Sequence, residues 1–163
     1  MDPRVIAPSS ILRLNTTLYR NCLHGMTAEQ AQARPADHAN SAAFVALHLV
    51  QSRYFLLKLL GAETANPLPA DLAAARSIDD VKQWPAHADL EAAWTTASHA
   101  LRDRLAAMTA EELDAAVTVR FPAPEQTVFG ALTFLVQHDS YHLGQLSLLR
   151  KQAGLPAMSY GTP

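Results

Sequence analysis

The segment Leu135–Leu146, LVQHDSYHLGQL, lies within a longer run from Thr127 to Ala153 that stops at Gly154 and Pro156. Apolar positions recur there at helical rather than alternating spacing, which predicts one long helix. Its expected stripe is Ala131, Leu135, His138, His142, Gln145 and Leu149. Two histidines on such a stripe are unexpected. Leucine would pack better, and a buried imidazole must find polar partners or cost free energy.

Three more helical patterns precede it. The first covers roughly residues 9–23, with Ile11, Leu14, Leu18 and Cys22 as its stripe and Gly25 as its stop. The second covers roughly 41–60, capped by Asn40 or Ser41 and ended by Gly61, with Phe44, Leu47, His48, Phe55 and Leu59 on one face. The third covers roughly 90–107, with Leu90, Trp94, Ala97, Leu101 and Leu105 on one face. Thr27 with Gln30 and Thr109 with Glu112 have capping-box spacing, as single helical turns would. A further short helix is expected over 78–84, capped by Ser77 with Asp80. Val117–Phe121, VTVRF, alternates weakly and reads as a short strand that Pro122 and Pro124 terminate.

The connection between the second and third helices, residues 62–89, contains three prolines and is too long for a simple antiparallel turn. It predicts a crossover, and with it an all-α four-helix bundle whose two middle helices run parallel. The length of 163 residues fits a single domain over 1–163 with a full core.

Composition excludes several functions. Apolar residues make up 49% and charged residues 17%, which is globular rather than disordered. The net charge of −2 is spread along the chain, so no nucleic-acid partner is expected. Polar residues interrupt every apolar stretch, and the N-terminus lacks the apolar core of a signal peptide, so no membrane partner is expected either. A lone cysteine, Cys22, forms no internal disulfide and reads as a small buried hydrophobe, consistent with the cytoplasm.

Residues four apart on a helix share a face, with Cβ atoms about 5–6 Å apart. Two imidazoles so placed can bind one ion at about 2.0–2.1 Å. Seven histidines in this length give on the order of 0.3 chance pairs at that spacing, so spacing alone says little. Placement says more. His138 and His142 both fall on an apolar stripe, and His48 falls on the stripe of the second helix. Either the three share a divalent metal, or each is a core histidine satisfied by a carbonyl or a neighbouring side chain. Three nitrogens around an ion leave a coordination position open, as in catalytic sites. Imidazole suits zinc, nickel, copper and iron, with zinc or nickel as the expected ion.

Gln145, three residues after His142, and Ser52, four after His48, continue the two ligand faces. They either orient a bound water or substrate or are ordinary polar residues at the open end of a bundle. Asp139 points about 100° away from His138, toward another element or solvent. Tyr141 is read as packing, and Arg53 and Arg150 as solvated surface. His24, His38, His87 and His99 are expected to be exposed.

LVQHDSYHLGQLSLLRKQAGLP, residues 135–156, resembles the fourth-helix signature of the DinB/YfiT-like superfamily, and AFVALHLVQSRYFLLKLLG, residues 43–61, resembles that family's second helix. The resemblance covers nearly the whole chain. It implies an up-down-down-up four-helix bundle, often a homodimer, with a divalent metal held at the positions of His48, His138 and His142. It also implies a small-molecule substrate. Characterised relatives include transferases that use low-molecular-weight thiols such as bacillithiol, and a mycothiol-dependent isomerase belongs to a related group. Other members are described as metal-dependent hydrolases.

Overall fold

Four long helices carry the computed structural model, which describes residues 2–161: α1 (Ile6–Leu23), α3 (Ala42–Leu59), α5 (His87–Ala107) and α7 (Val128–Gln152). Between them lie α2 (Ala28–Gln32), α4 (Ala70–Ala74) and α6 (Ala110–Asp114), each five residues long. The starts follow local chemistry. Ser41 Oγ accepts from the Phe44 backbone N–H at 3.2 Å, so Ser41 rather than Asn40 caps α3. Both expected capping boxes form, Thr27 with Gln30 and Thr109 with Glu112. The Ser77–Asp80 box also forms, but it caps only a 3₁₀ turn at Ile78–Asp80. Gly61 closes α3 and Gly154 closes α7, at φ 75° and 80°.

Helix directions follow from which residues meet. Asn15 contacts Asp139 and Ser140, while Cys22 and His24 meet Arg150, so α1 and α7 run parallel. Tyr19 reaches Ala46 and Thr16 reaches Arg53, so α3 opposes α1. Tyr54 meets Ala93 and Leu60 meets Arg104, so α5 runs with α3. The bundle is therefore up-down-down-up, and the segment from Ala62 to Ala86 is the crossover between the two parallel middle helices. No described helix is long and apolar enough to cross a membrane.

The expected strand at 117–121 does not form. Only an isolated antiparallel bridge joins Ala116 to Thr127. The Gln126 side chain serves Phe121 as a strand partner would: Oε1 accepts from Phe121 N–H at 3.1 Å, and Nε2 donates to Phe121 O at 3.0 Å. This loop presses against the start of α7, where a Cβ on Gly130 would stand 2.0 Å from Glu125 O.

Core faces match the expected stripe for α5, where Leu90, Trp94, Ala97, Leu101 and Leu105 are all buried. Two other helices are rolled about their axes relative to expectation. In α1 the buried residues are Leu12, Asn15, Leu18, Tyr19, Asn21 and Cys22, while Ile11 and Leu14 are exposed. In α7 the buried residues are Gly130, Ala131, Leu132, Leu135, Val136, Asp139, Leu143, Leu146 and Arg150, so Ala131 and Leu135 of the expected stripe are in the core while the histidines lie on its flank. On α3, Phe55 is exposed rather than buried.

The roll has a polar cause. Arg53 of α3 and Asp139 of α7 form an ion pair at 2.9 Å, with their side chains only 2% and 3% exposed. The Arg53 guanidinium also donates to Leu12 O at 3.1 Å and Thr16 Oγ1 at 2.8 Å on α1, and to Ser98 on α5. It lies 3.4 Å from the centroid of the Trp94 ring. Asn15 Nδ2 donates to Asp139 Oδ2 at 3.2 Å. One guanidinium thus binds all four long helices, which fixes their rotation. Arg150 is buried too: it donates to Cys22 O, His24 O and Pro156 O, fastening the C-terminal segment to the end of α1. Neither arginine is the solvated surface residue that its charge suggested.

Candidate metal centre

Antiparallel α3 and α7 cross so that His48 faces His138 and His142. Local helix geometry pairs His138 with His142, and the crossing adds His48. The three are half-buried, and they are the one group of metal-type side chains found to converge among the described residues. His138 Nε2 lies 3.2 Å from His48 Nε2 and 3.1 Å from His142 Nε2. The rings are T-shaped to one another rather than stacked, at interplanar angles of 60–76°.

These separations suit an ion. Two nitrogens about 2.0–2.1 Å from one cation, subtending roughly 90–110°, stand about 2.8–3.4 Å apart. Proton bookkeeping points the same way. His142 Nδ1 lies 2.7 Å from Gln145 Oε1, a pure acceptor, so Nδ1 carries the proton and Nε2 the lone pair. Gln145 is held in turn by donating to Tyr141 Oη at 3.1 Å. A neutral His138 can give one proton to one neighbour through Nε2, so the two Nε2 contacts cannot both be good hydrogen bonds. A cation that accepts three lone pairs removes the conflict.

The surroundings favour the neutral form of His48 and His138. Burial, reinforced by the neighbouring His142 and His138, pushes His48 down to about 4, against the opposing effect of Gln51. Burial lowers His138 as well, again with help from His142. Unprotonated rings at neutral pH are what coordination requires. Each histidine also has an aromatic neighbour: Phe44 at 6.5 Å from His48, Phe134 at 6.0 Å from His138 and Tyr141 at 5.1 Å from His142, between ring centroids. Phe121 and Phe55 extend this apolar wall beyond Phe134.

A sequence-family model of the DinB superfamily matches residues 11–146. The chain belongs to the DinB superfamily. No curated protein matches it. In this DinB-superfamily chain the matched span includes all three histidines, the two helices that carry them up to residue 146, and the buried Arg53–Asp139 pair.

Of the pocket residues read from sequence, Gln145 joins the centre through His142, and Tyr141 does more than pack because it anchors Gln145. Ser52 is half-buried one turn from His48 and, among the described residues, forms no hydrogen bond with the triad. Asp139 is turned away from His138 into its pair with Arg53. Cys22 is fully buried, and burial pushes its thiol up to about 11, which suits a core residue rather than a nucleophile. His24, His38 and His99 are exposed and His87 is half-buried. Sequence reasoning passed over Gln51. The signal was present in a repeated pattern, His48-Leu49-Val50-Gln51 and His142-Leu143-Gly144-Gln145, which sets a glutamine one turn after a histidine on each helix.

Proposed function

We propose that this chain is a metal-dependent enzyme in which His48, His138 and His142 hold one divalent ion, zinc or nickel, and a low-molecular-weight thiol is transferred to an electrophilic substrate. The convergence of three imidazoles carries this reading: His138 Nε2 is 3.1–3.2 Å from the Nε2 atoms of the other two, and one ligand atom from each ring lies within 4.8 Å of the others. A bound divalent ion supplies Lewis acidity that makes a thiol or a water nucleophilic near neutral pH. A thiol, with a pKa of about 8.5, needs far less help than water at about 15.7. Among the described residues no carboxylate joins the three imidazoles as a general base for water, since Asp139 is engaged by Arg53. That favours thiol transfer over hydrolysis.

The chain's own residues have distinct tasks in this reading. The three imidazoles bind, and Gln145 holds His142 in the tautomer that turns its lone pair inward. Phe44 and Phe134 flank His48 and His138 with apolar surface, and Tyr141 anchors Gln145 beside His142. A thiol cosubstrate and a cysteine without a disulfide both fit a reducing, cytoplasmic setting. The family resemblance adds a homodimer, which light scattering on the purified chain checks.

The test is elemental analysis of untagged protein, followed by a panel of thiols offered with an electrophile. We expect about one ion per chain, lost in His142→Ala, and conjugate formation that depends on it. Protein that takes up no metal even on reconstitution overturns the site. Bound metal without turnover across thiols and simple esters overturns the enzyme reading in favour of a binding protein.

A further inference from the structure

His48, Ser52 and Phe55 stand four and then three residues apart on α3, and Phe134 stands four residues before His138 on α7. Such spacings keep each set on one helix face. The two helices are antiparallel, so both faces lead away from the triad in the same direction. Aromatic rings line that path. Ring centroids are 6.0 Å apart for His138 and Phe134, 5.8 Å for Phe134 and Phe121, and 6.2 Å for Phe121 and Phe55. Phe121, supplied by the loop before α7, is buried, whereas Phe134 is half-buried and Phe55 is 41% exposed. The row ends at Phe55 on a cleft of about 840 Å³ between α3 and the crossover, lined also by Tyr54, Lys58, Ala62 and Ala73. A singly exposed aromatic ring is ordinary. This one is continuous, through two further rings, with the candidate metal centre.

We propose that Phe134, Phe121 and Phe55 form a subsite for an aromatic ring carried by the electrophile, with Phe55 as its specificity-determining residue. A flat apolar ring gains from burial against this wall and from offset or edge-on contact with its aromatic faces, and a strongly polar group gains neither. The row begins at His138, so a substrate ring seated along it directs the attached reactive carbon toward the triad. The inference rests on the thiol-transfer reading and names the class of electrophile within it: a small reactive group joined to an aromatic ring.

Two electrophiles that differ only in that ring test it: chloroacetamide and its N-phenyl derivative. In both, the thiol sulfur bonds to the chloromethyl carbon, chloride leaves with the bonding pair, and the thiol proton passes to solvent. With the same thiol, kcat/KM corrected for the uncatalysed reaction favours the phenyl compound by at least about tenfold. Phe55→Ala brings that preference toward unity by raising KM for the phenyl compound with little change in its kcat, as loss of binding remote from the reacting atoms does. Leu148→Ala, which removes an apolar side chain 57% exposed on α7, keeps the preference. A second arm needs neither metal nor turnover. Acetanilide, which has no leaving group, gives a saturation-transfer NMR signal with chelator-treated protein, and Phe55→Ala weakens it severalfold. Equal kcat/KM for the two electrophiles, no acetanilide signal from the unaltered chain, or a preference or signal that survives Phe55→Ala overturns the subsite. Acetanilide binding that requires Phe55, without turnover of either electrophile, counts for the subsite and against the transfer reaction.

Discussion

Asp139→Ala tests the claim that one buried ion pair sets the register of the bundle. Removing the carboxylate leaves the Arg53 guanidinium, 2% exposed, without its counter-charge. Breaking a buried pair from one side costs roughly 3–5 kcal/mol. The guanidinium keeps Leu12 O at 3.1 Å, Thr16 Oγ1 at 2.8 Å and the Trp94 face at 3.4 Å, which places this variant near the lower end, at about 3 kcal/mol. For a domain of this size that lowers Tm by about 6–12 °C. Arg53→Met is the harsher change. It strands a carboxylate whose Oδ2 keeps only Asn15 Nδ2, at 3.2 Å, and whose Oδ1 has no hydrogen bond, so about 4–5 kcal/mol is expected. The double variant Arg53→Met with Asp139→Ala removes both charges, and its loss falls short of the sum of the single losses by about 2–3 kcal/mol. Urea unfolding followed by circular dichroism at 222 nm, on chelator-treated protein so that metal linkage does not intrude, measures these three variants and the unaltered chain. A loss below about 1 kcal/mol for Asp139→Ala, or additive single variants, would refute the reasoning.

Gly130→Ala drives a methyl to 2.0 Å from Glu125 O, so either the start of α7 or the 121–127 loop must shift. A loss of about 1–3 kcal/mol in urea unfolding is expected, and a variant as stable as its parent would show that the loop does not hold this position. Gln145→Leu frees the His142 tautomer and reduces zinc affinity by about tenfold in a chelator competition; unchanged affinity would remove Gln145 from the centre. In metal-free protein, His48 titrates near 4 when folded, against a model-peptide value of 6.5. The unfolded chain therefore takes up its proton first as pH falls. The stability this ring contributes is complete above about pH 6.5 and is lost progressively toward pH 4. The difference in urea midpoint between the unaltered chain and His48→Leu across this range isolates that contribution, and a difference that does not vary with pH would contradict the burial assigned to the ring.

Much of the fold was legible because it depends on neighbours in sequence. Helical periodicity marks all four long helices. Ser41, Thr27 with Gln30, Thr109 with Glu112 and Ser77 with Asp80 cap their own turns through side chains only three residues from their partners. His138 and His142 were legible as a pair for the same reason. VTVRF was misread because a strand exists only against a partner, and here the Gln126 side chain takes the partner's place.

The sequence by itself determined where the helices lie, that a crossover joins the middle two, and that two imidazoles share a helix face, since each follows from contacts a few residues apart. Tertiary structure alone decided how far each helix is rolled about its axis. Exposing Ile11 and Leu14 while burying Asn15, Arg53 and Asp139 is favourable only once four helices close around one guanidinium and share its hydrogen bonds. The same closure brings His48 within 3.2 Å of His138, ninety residues away in the chain, and turns a spacing into a candidate site.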